Sequence, residues 1–291
     1  MIKNTINNLS NEYGFPQAFK DSMLGVYNAL TSGEIECIIS TYNGKTHFDF
    51  DTLTNYLQEL NEKHQIDIRT LRLFSLICLI PKLKEEYAKY NIEESIQKDT
   101  ILDIYCKYNE CKNIFGIDGV DSWGWYEGVF TLNVLALGRL QFEFIDFHLD
   151  SYTKNGFSLK KGDTVLTVHI PNTGTPLNHD ECLKSYKRAK EFYANYFKGE
   201  KVPIICWSWL MNPKHYELLN ENSNILKFMN DYDIIDKAEY DDFNLLSSRV
   251  FGKESIESVD KIPENSSLQR IYKQHLLNGG KLGWGLGVLK I

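Results

Sequence analysis

The chain has 291 residues, 43% of them hydrophobic and 13% aromatic, enough apolar material for one large or two modest cores. Its 32 Lys and Arg against 39 Asp and Glu leave a formal charge of −7, which argues against an electrostatic grip on nucleic acid or an anionic membrane. The aromatic content excludes a disordered chain, and the composition excludes collagenous and coiled-coil classes.

The first hundred residues read as helical. Asp51 or Thr52 is expected to cap a helix carrying Leu53, Tyr56, Leu57 and Leu60 at i, i+3, i+4 and i+7. Asp67 caps a second, with Ile68, Leu71, Phe74, Ser75 and Cys78 on one face, and Pro81 is expected to interrupt or kink it. A third helix is expected over 94–111, and a fourth over 122–137, stopped by Gly138. These elements predict an all-helical lobe over 1–135.

The period then changes to two. Leu140, Phe142 and Phe144 alternate through a strand, and Thr164 to Ile170 is a β-branched run that reads as a buried one. A loop over 171–176 leads to Asn178, which is placed to cap a helix with Cys182, Leu183, Ala189, Phe192 and Tyr193 on its apolar side. A strand over 203–210, a short helix over 223–232, a strand over 245–251 and a helix over 266–277 follow. A glycine-rich strand closes the series at Gly287-Val288-Leu289. No internal repeat or low-complexity tract is visible.

None of the six cysteines forms a C-x-x-C pair, and most lie in apolar runs, so they read as reduced packing residues. The polar opening Met1-Ile2-Lys3-Asn4 lacks the apolar segment of a secretory signal. No run approaches the ~18 apolar residues of a membrane span. A cytoplasmic setting, with no membrane and no nucleic-acid partner, is the expectation. The histidines lack metal-ligand spacing, so no metal is expected, and no G-x-S-x-G elbow supports serine hydrolysis.

Most of the chemistry gathers between 164 and 210, where strand, loop, helix and strand follow one another. A loop ending at a helix N-terminus presents free amides and the positive end of the helix dipole, which suits a pyrophosphate. The same spacing is equally that of an ordinary βαβ connection. His169, near the end of the first strand, is a candidate general base, with a hydrogen-bonded structural histidine as the alternative.

At this point the chain resembles the bacterial acyltransferase-domain proteins that join a helical N-terminal domain to a GNAT-like C-terminal domain. The matching segments are Leu137-Gly138-Arg139-Leu140-Gln141-Phe142-Glu143, Val168-His169-Ile170-Pro171, Cys206-Trp207-Ser208-Trp209-Leu210, Asn222-Ser223-Asn224-Ile225 and Ser267-Leu268-Gln269-Arg270. The resemblance implies an α+β fold, with a helical domain over 1–135 and a GNAT-like mixed sheet flanked by helices over 136–291. It also implies two strands that splay into a V holding an acyl thioester, acetyl-CoA or another acyl-CoA, as co-substrate.

Carried over residue by residue, Val168 and Ile170 would meet the pantetheine arm. Gly174, Thr175, Leu177 and Asn178 would lie near the pyrophosphate, on a loop that lacks the family's Q/R-x-x-G-x-G/A pattern and contains Pro176. The tyrosine acid of the family's N-x-x-A-x-x-x-Y helix falls at Met229, so Tyr232, one turn onward, is the candidate in its place. His169 and Glu143 are the candidates for removing a proton from the acceptor. The implied function is acyl transfer, acetyl first, to an amine of a small molecule or peptide. The alternatives are a non-catalytic GNAT-scaffold module binding a ligand or protein, and an interaction protein without a ligand.

Overall fold

The computed structural model describes residues 2–198 and 201–290, which form two compact units. The first is Met1–Ala136 with Pro171–Gly174, and the second is Leu137–Ile170 with Thr175–Ile291.

The first unit is built of helices: α1 (Ile2–Tyr13), α2 (Gln17–Ala29), α3 (Ser32–Ser40), α4 (Phe50–His64), α5 (Ile68–Lys89), α6 (Glu94–Phe115) and α7 (Trp125–Phe130). A short strand, β1 (Val134–Ala136), follows them. Helix α5 is the axis, touched by α1, α2, α3, α4 and α6. Its buried residues run almost all round, from Leu71 through Ile80 to Tyr87, as a central helix requires. Asp67 caps it by accepting from the Arg69 amide.

Pro81 lies inside α5 without ending it. The turns on both sides, carrying Ile77, Ile80 and Leu83, are held in the core, and that packing outweighs one missing amide donor. Two other local expectations move. Helix α4 is capped by Asp49, with Asp51 in its first turn. The helix expected over 122–137 shrinks to α7, because Leu132 takes a left-handed φ of 59° and the chain continues into β1. Gly138, with φ 90°, turns the chain after that strand rather than stopping a helix.

The second unit contains β2 (Gln141–Asp146), β3 (Ser151–Lys154), β4 (Phe157–Lys160), β5 (Thr164–His169), α8 (His179–Tyr193), β6 (Ile204–Ser208), α9 (His215–Leu218), α10 (Asn224–Met229), β7 (Tyr232–Glu239), α11 (Ser267–Leu277) and β8 (Gly283–Leu289). The main strands lie in the order β2-β5-β6-β8-β7. Strands β5 and β6 are parallel, while β2/β5, β6/β8 and β8/β7 are antiparallel. The fold is therefore α+β with a mixed sheet.

Residues alternate across this sheet. Phe144 meets Tyr193 of α8 edge-on, so α8 covers the face that carries Phe142, Leu166, Val168, Cys206 and Tyr232. Val165, Ile205, Leu286 and Val288 form a core on the opposite face with Phe147 and Leu159, against which Tyr152 and Phe157 of the β3–β4 hairpin pack. That hairpin turns through Asn155 and Gly156, both with positive φ, and Tyr152 and Lys154 are tied to Asp233 of β7. Glycines make room at β8: a Cβ on Gly285 would sit 2.2 Å from the Met211 carbonyl, and one on Gly287 would sit 2.7 Å from the Tyr232 Cβ. The turn Trp209–Met211 can therefore lie directly on the strand.

Two sequence-based assignments are corrected here. Residues 245–251, expected as a strand, form a 3-10 turn over Phe243–Leu246 and a wide helical turn over Ser247–Phe251, with Leu246 and Phe251 in a second core. The helix expected over 223–232 ends at Met229, and Tyr232 opens β7 instead.

Candidate active site

The site is built where β5 and β6 part. They pair at Leu166–Ile204 and Thr167–Ile205 and no further. Each keeps its other neighbour beyond that point: β5 stays paired with β2 to Gln141–His169, and β6 stays paired with β8 to Ser208–Gly285. The two strands thus diverge as parts of two intact ladders, which holds the gap open. A β6 amide no longer reaches the Val168 carbonyl, and the Cys206 thiol donates to it at 3.9 Å. Burial pushes the Cys206 ionisation far above its ordinary value, so the group stays an S–H donor rather than a nucleophile. Cys182 is pushed up to about 12 by the same cause.

Two side chains of the opposite sheet face form a pair beside this gap. The His169 Nε2 lies 2.8 Å from the Glu143 carboxylate, across the β2–β5 ladder. Both are part exposed, at 36% and 26% of the side chain, so solutes reach them. Across the gap Trp207 is 53% exposed and leans on the rings of Trp284 and His148. The arrangement places a hydrogen-bonded His–Glu pair on one side and an aromatic wall on the other.

The remaining sequence candidates are placed as follows. Val168 is 2% exposed and faces α8, on the side of β5 opposite to His169, and Ile170 directly follows that strand. Leu177 is half-buried, and Thr175 and Asn178 are exposed. Asn178 caps α8, its side chain accepting from the Asp180 and Glu181 amides. Gly174 has φ 76° and donates its amide to the Asn172 side chain, within the loop segment that groups with the first unit.

Tyr232 lies in a strand rather than in the helix expected for it. It lies on the α8 face of the sheet, 2% exposed, while His169 and Glu143 occupy the other face. Its hydroxyl donates to Tyr186 at 3.0 Å, and burial pushes its ionisation well above the ordinary phenol value. A phenol so placed is a packing and hydrogen-bonding group of the α8 interface.

Two buried polar residues beside the pair escaped sequence reasoning. Gln141 stands directly across from His169, and Thr167 directly across from Glu143, on the same sheet face. Only the strand register shows them. Among the described residues no group of three or more His, Cys, Asp or Glu is placed to hold a metal ion, and no helix is long and apolar enough to cross a membrane.

A family model described as GNAT-like C-terminal domain matches residues 134–289, and one described as N-acyltransferase N-terminal domain matches residues 7–132. No curated protein matches the sequence. Among solved structures, an acyltransferase in complex with decanoyl-CoA and teicoplanin is similar with a TM-score of 0.74 at 19% identity, covering 98% of this chain and 87% of that one. An acyltransferase in complex with CoA and 10C-teicoplanin gives 0.74 at 18% identity over the same shares, and one in complex with decanoyl-CoA gives 0.65 at 19% over 98% and 99%. At such identities the likeness shows a common fold. The two family matches decide the rest: the chain belongs to the enzymes that join an N-acyltransferase N-terminal domain to a GNAT-like C-terminal domain.

Proposed function

We propose that the protein transfers an acyl group from an acyl-CoA thioester to an amine of a small molecule or peptide. The observation that carries this reading is the gap opening at Val168 and Cys206 between strands that stay paired to their outer neighbours. A pantetheine arm has the amide groups to replace the missing ladder, with the Val168 carbonyl and the backbone at Ile170 as its partners. Thr175, Leu177 and Asn178 are the residues proposed to meet the diphosphate.

In the proposed reaction the acceptor nitrogen attacks the thioester carbonyl carbon, the C–N bond forms and the C–S bond breaks. The nitrogen's proton passes to the His169 imidazole, which Glu143 stabilises, and the CoA thiolate leaves to be protonated by solvent. The thioester is already activated, so alignment and one proton transfer suffice. Tyr232 has no part in this scheme. The acyl group is taken from a series running from acetyl to decanoyl, since the neighbours named above hold decanoyl-CoA.

A second reading, a GNAT-scaffold module that binds without catalysis, is favoured by the loop. Pro176 offers no amide, the Asn178 side chain already occupies two amides of α8, and Asp180 and Glu181 place acid in its first turn. One experiment separates the readings. Acyl-CoAs from acetyl to decanoyl are expected to raise the melting temperature in a concentration-dependent way, and the best of them to release thiol with an amine. No shift at millimolar CoA or acyl-CoA removes the acyl-CoA reading; a shift without thiol release for any amine leaves the binding module.

A further inference from the structure

Four polar residues sit at the corners of one small square on the His169 face of the β2–β5 ladder. Gln141 is the partner of His169, and Glu143 is the partner of Thr167. The His169–Glu143 hydrogen bond runs along one diagonal. Gln141 and Thr167 hold the other two corners, 3% and 6% exposed respectively. Among the described residues no side-chain hydrogen bond holds either group, and neither is among the fully buried polar atoms left without a partner, so the amide and the hydroxyl are reached by solvent. An amide and a hydroxyl that a ligand can reach thus stand together, about 5 Å from the two groups that would move the proton.

Resting on the acyl-transfer reading, we infer that Gln141, assisted by Thr167, binds a polar group of the acceptor next to the nitrogen that becomes acylated. Position selects the acceptor over the donor. The thioester gap opens on the β6 side of β5, whereas Gln141 lies one strand away on the other side, about 4.8 Å farther from β6. Chemistry narrows the group recognised. A primary amide and a hydroxyl each donate and accept, and neither carries charge, so they match a hydroxyl or amide rather than a phosphate or carboxylate. The acceptor class is then an amine with a hydroxyl or amide on a neighbouring carbon. A bare alkylamine, or a lysine side chain with methylenes beside its nitrogen, would leave Gln141 unpaired on binding, and sites that expect a hydrogen bond reject ligands that lack it.

The test uses the full chain and the acyl-CoA giving the largest thermal shift. Thiol release is measured with ethanolamine, glycinamide and n-propylamine, for wild type, Gln141→Leu and Thr167→Val. The wild type is expected to favour the two polar amines over n-propylamine by about tenfold in kcat/KM, the size of one hydrogen bond kept. Gln141→Leu should bring that ratio close to one, through KM for the polar amines rather than kcat, and Thr167→Val should narrow it. An unchanged thermal shift with acyl-CoA reports that each variant is folded. Thr167→Val carries the test if Gln141→Leu does not fold. Thiol release with the same amine ratio in wild type and variants overturns the assignment alone. No thiol release from wild type with any amine removes acyl transfer, and the assignment with it.

Discussion

Replacing His215 and Tyr272 together by Phe is expected to flatten the acid side of the stability profile. His215 is fully buried; its Nδ1–H donates to the Leu210 carbonyl at 3.1 Å, and its Nε2 accepts from the Tyr272 hydroxyl at 2.5 Å. Both nitrogens are thereby committed to the neutral ring. Burial among apolar groups holds its pKa down at about 4, against about 6.5 in an unfolded chain. Between these values the unfolded chain carries the extra proton, so stability rises with pH across that window. The contribution is complete above about 6.5 and is lost progressively as pH falls toward 4.

Integrating the difference gives about 2 kcal/mol lost between about pH 7 and pH 5, and about 3 kcal/mol over the whole window. His215→Phe with Tyr272→Phe keeps two facing rings and strands neither partner's hydrogen bond on the other, although the Leu210 carbonyl loses its donor. Urea denaturation of both proteins, followed by circular dichroism at the two pH values, measures the difference. The double variant should lose about 2 kcal/mol less than wild type over that interval. Equal losses would refute the assignment of the acid sensitivity to this ring.

Three further outcomes are expected. His169→Ala should lower kcat for thiol release by about a hundredfold or more and Glu143→Gln by about tenfold, in steady-state assays, with the acyl-CoA thermal shift retained; equal wild-type rates would remove the pair from the chemistry. Asn178→Ala takes the acceptor from two amides of α8, and urea denaturation should show a loss of about 1 kcal/mol. Gly285→Ala forces a methyl group onto the Met211 carbonyl, and should cost about 2 kcal/mol or more by the same measurement; a neutral result would mean the Trp209–Met211 turn moves aside freely.

What the sequence made legible follows from where local signals and packing agree. The β-branched run Thr164 to His169, the Asn178 cap and the apolar Ile204-Ile205-Cys206 each favour one backbone state, and all three elements form where the pattern placed them. Leu245 to Phe251 has apolar pairs at both ends, Leu245-Leu246 and Val250-Phe251, around a polar centre, and Leu246 and Phe251 reach the second core from helical turns. Strand β7 gives no strand signal, because Asp233, Asp236 and Lys237 break the apolar rhythm and its register shifts between Ile234 and Asp236. The Asn155-Gly156 pair, by contrast, is a local hairpin signal that the structure uses, both residues taking positive φ. His169 and Glu143 were found singly; their contact, and the two open corners beside it, depend on a pairing register that no local pattern encodes.

Strand β8 lies between β6 and β7, although it follows both in the chain. Until it is synthesised, the outer edge of β6 has no cover and β7 has no ladder to join. A nascent polypeptide emerging from the ribosome therefore carries two unsatisfied edges through the time needed to make Phe243 to Leu282. Bare edges of that kind invite pairing with other chains. Slow translation through this stretch, or scarcity of chaperones during it, should cost yield of native protein more than the same delay anywhere in the helical unit, whose helices close their own backbone hydrogen bonds as they form.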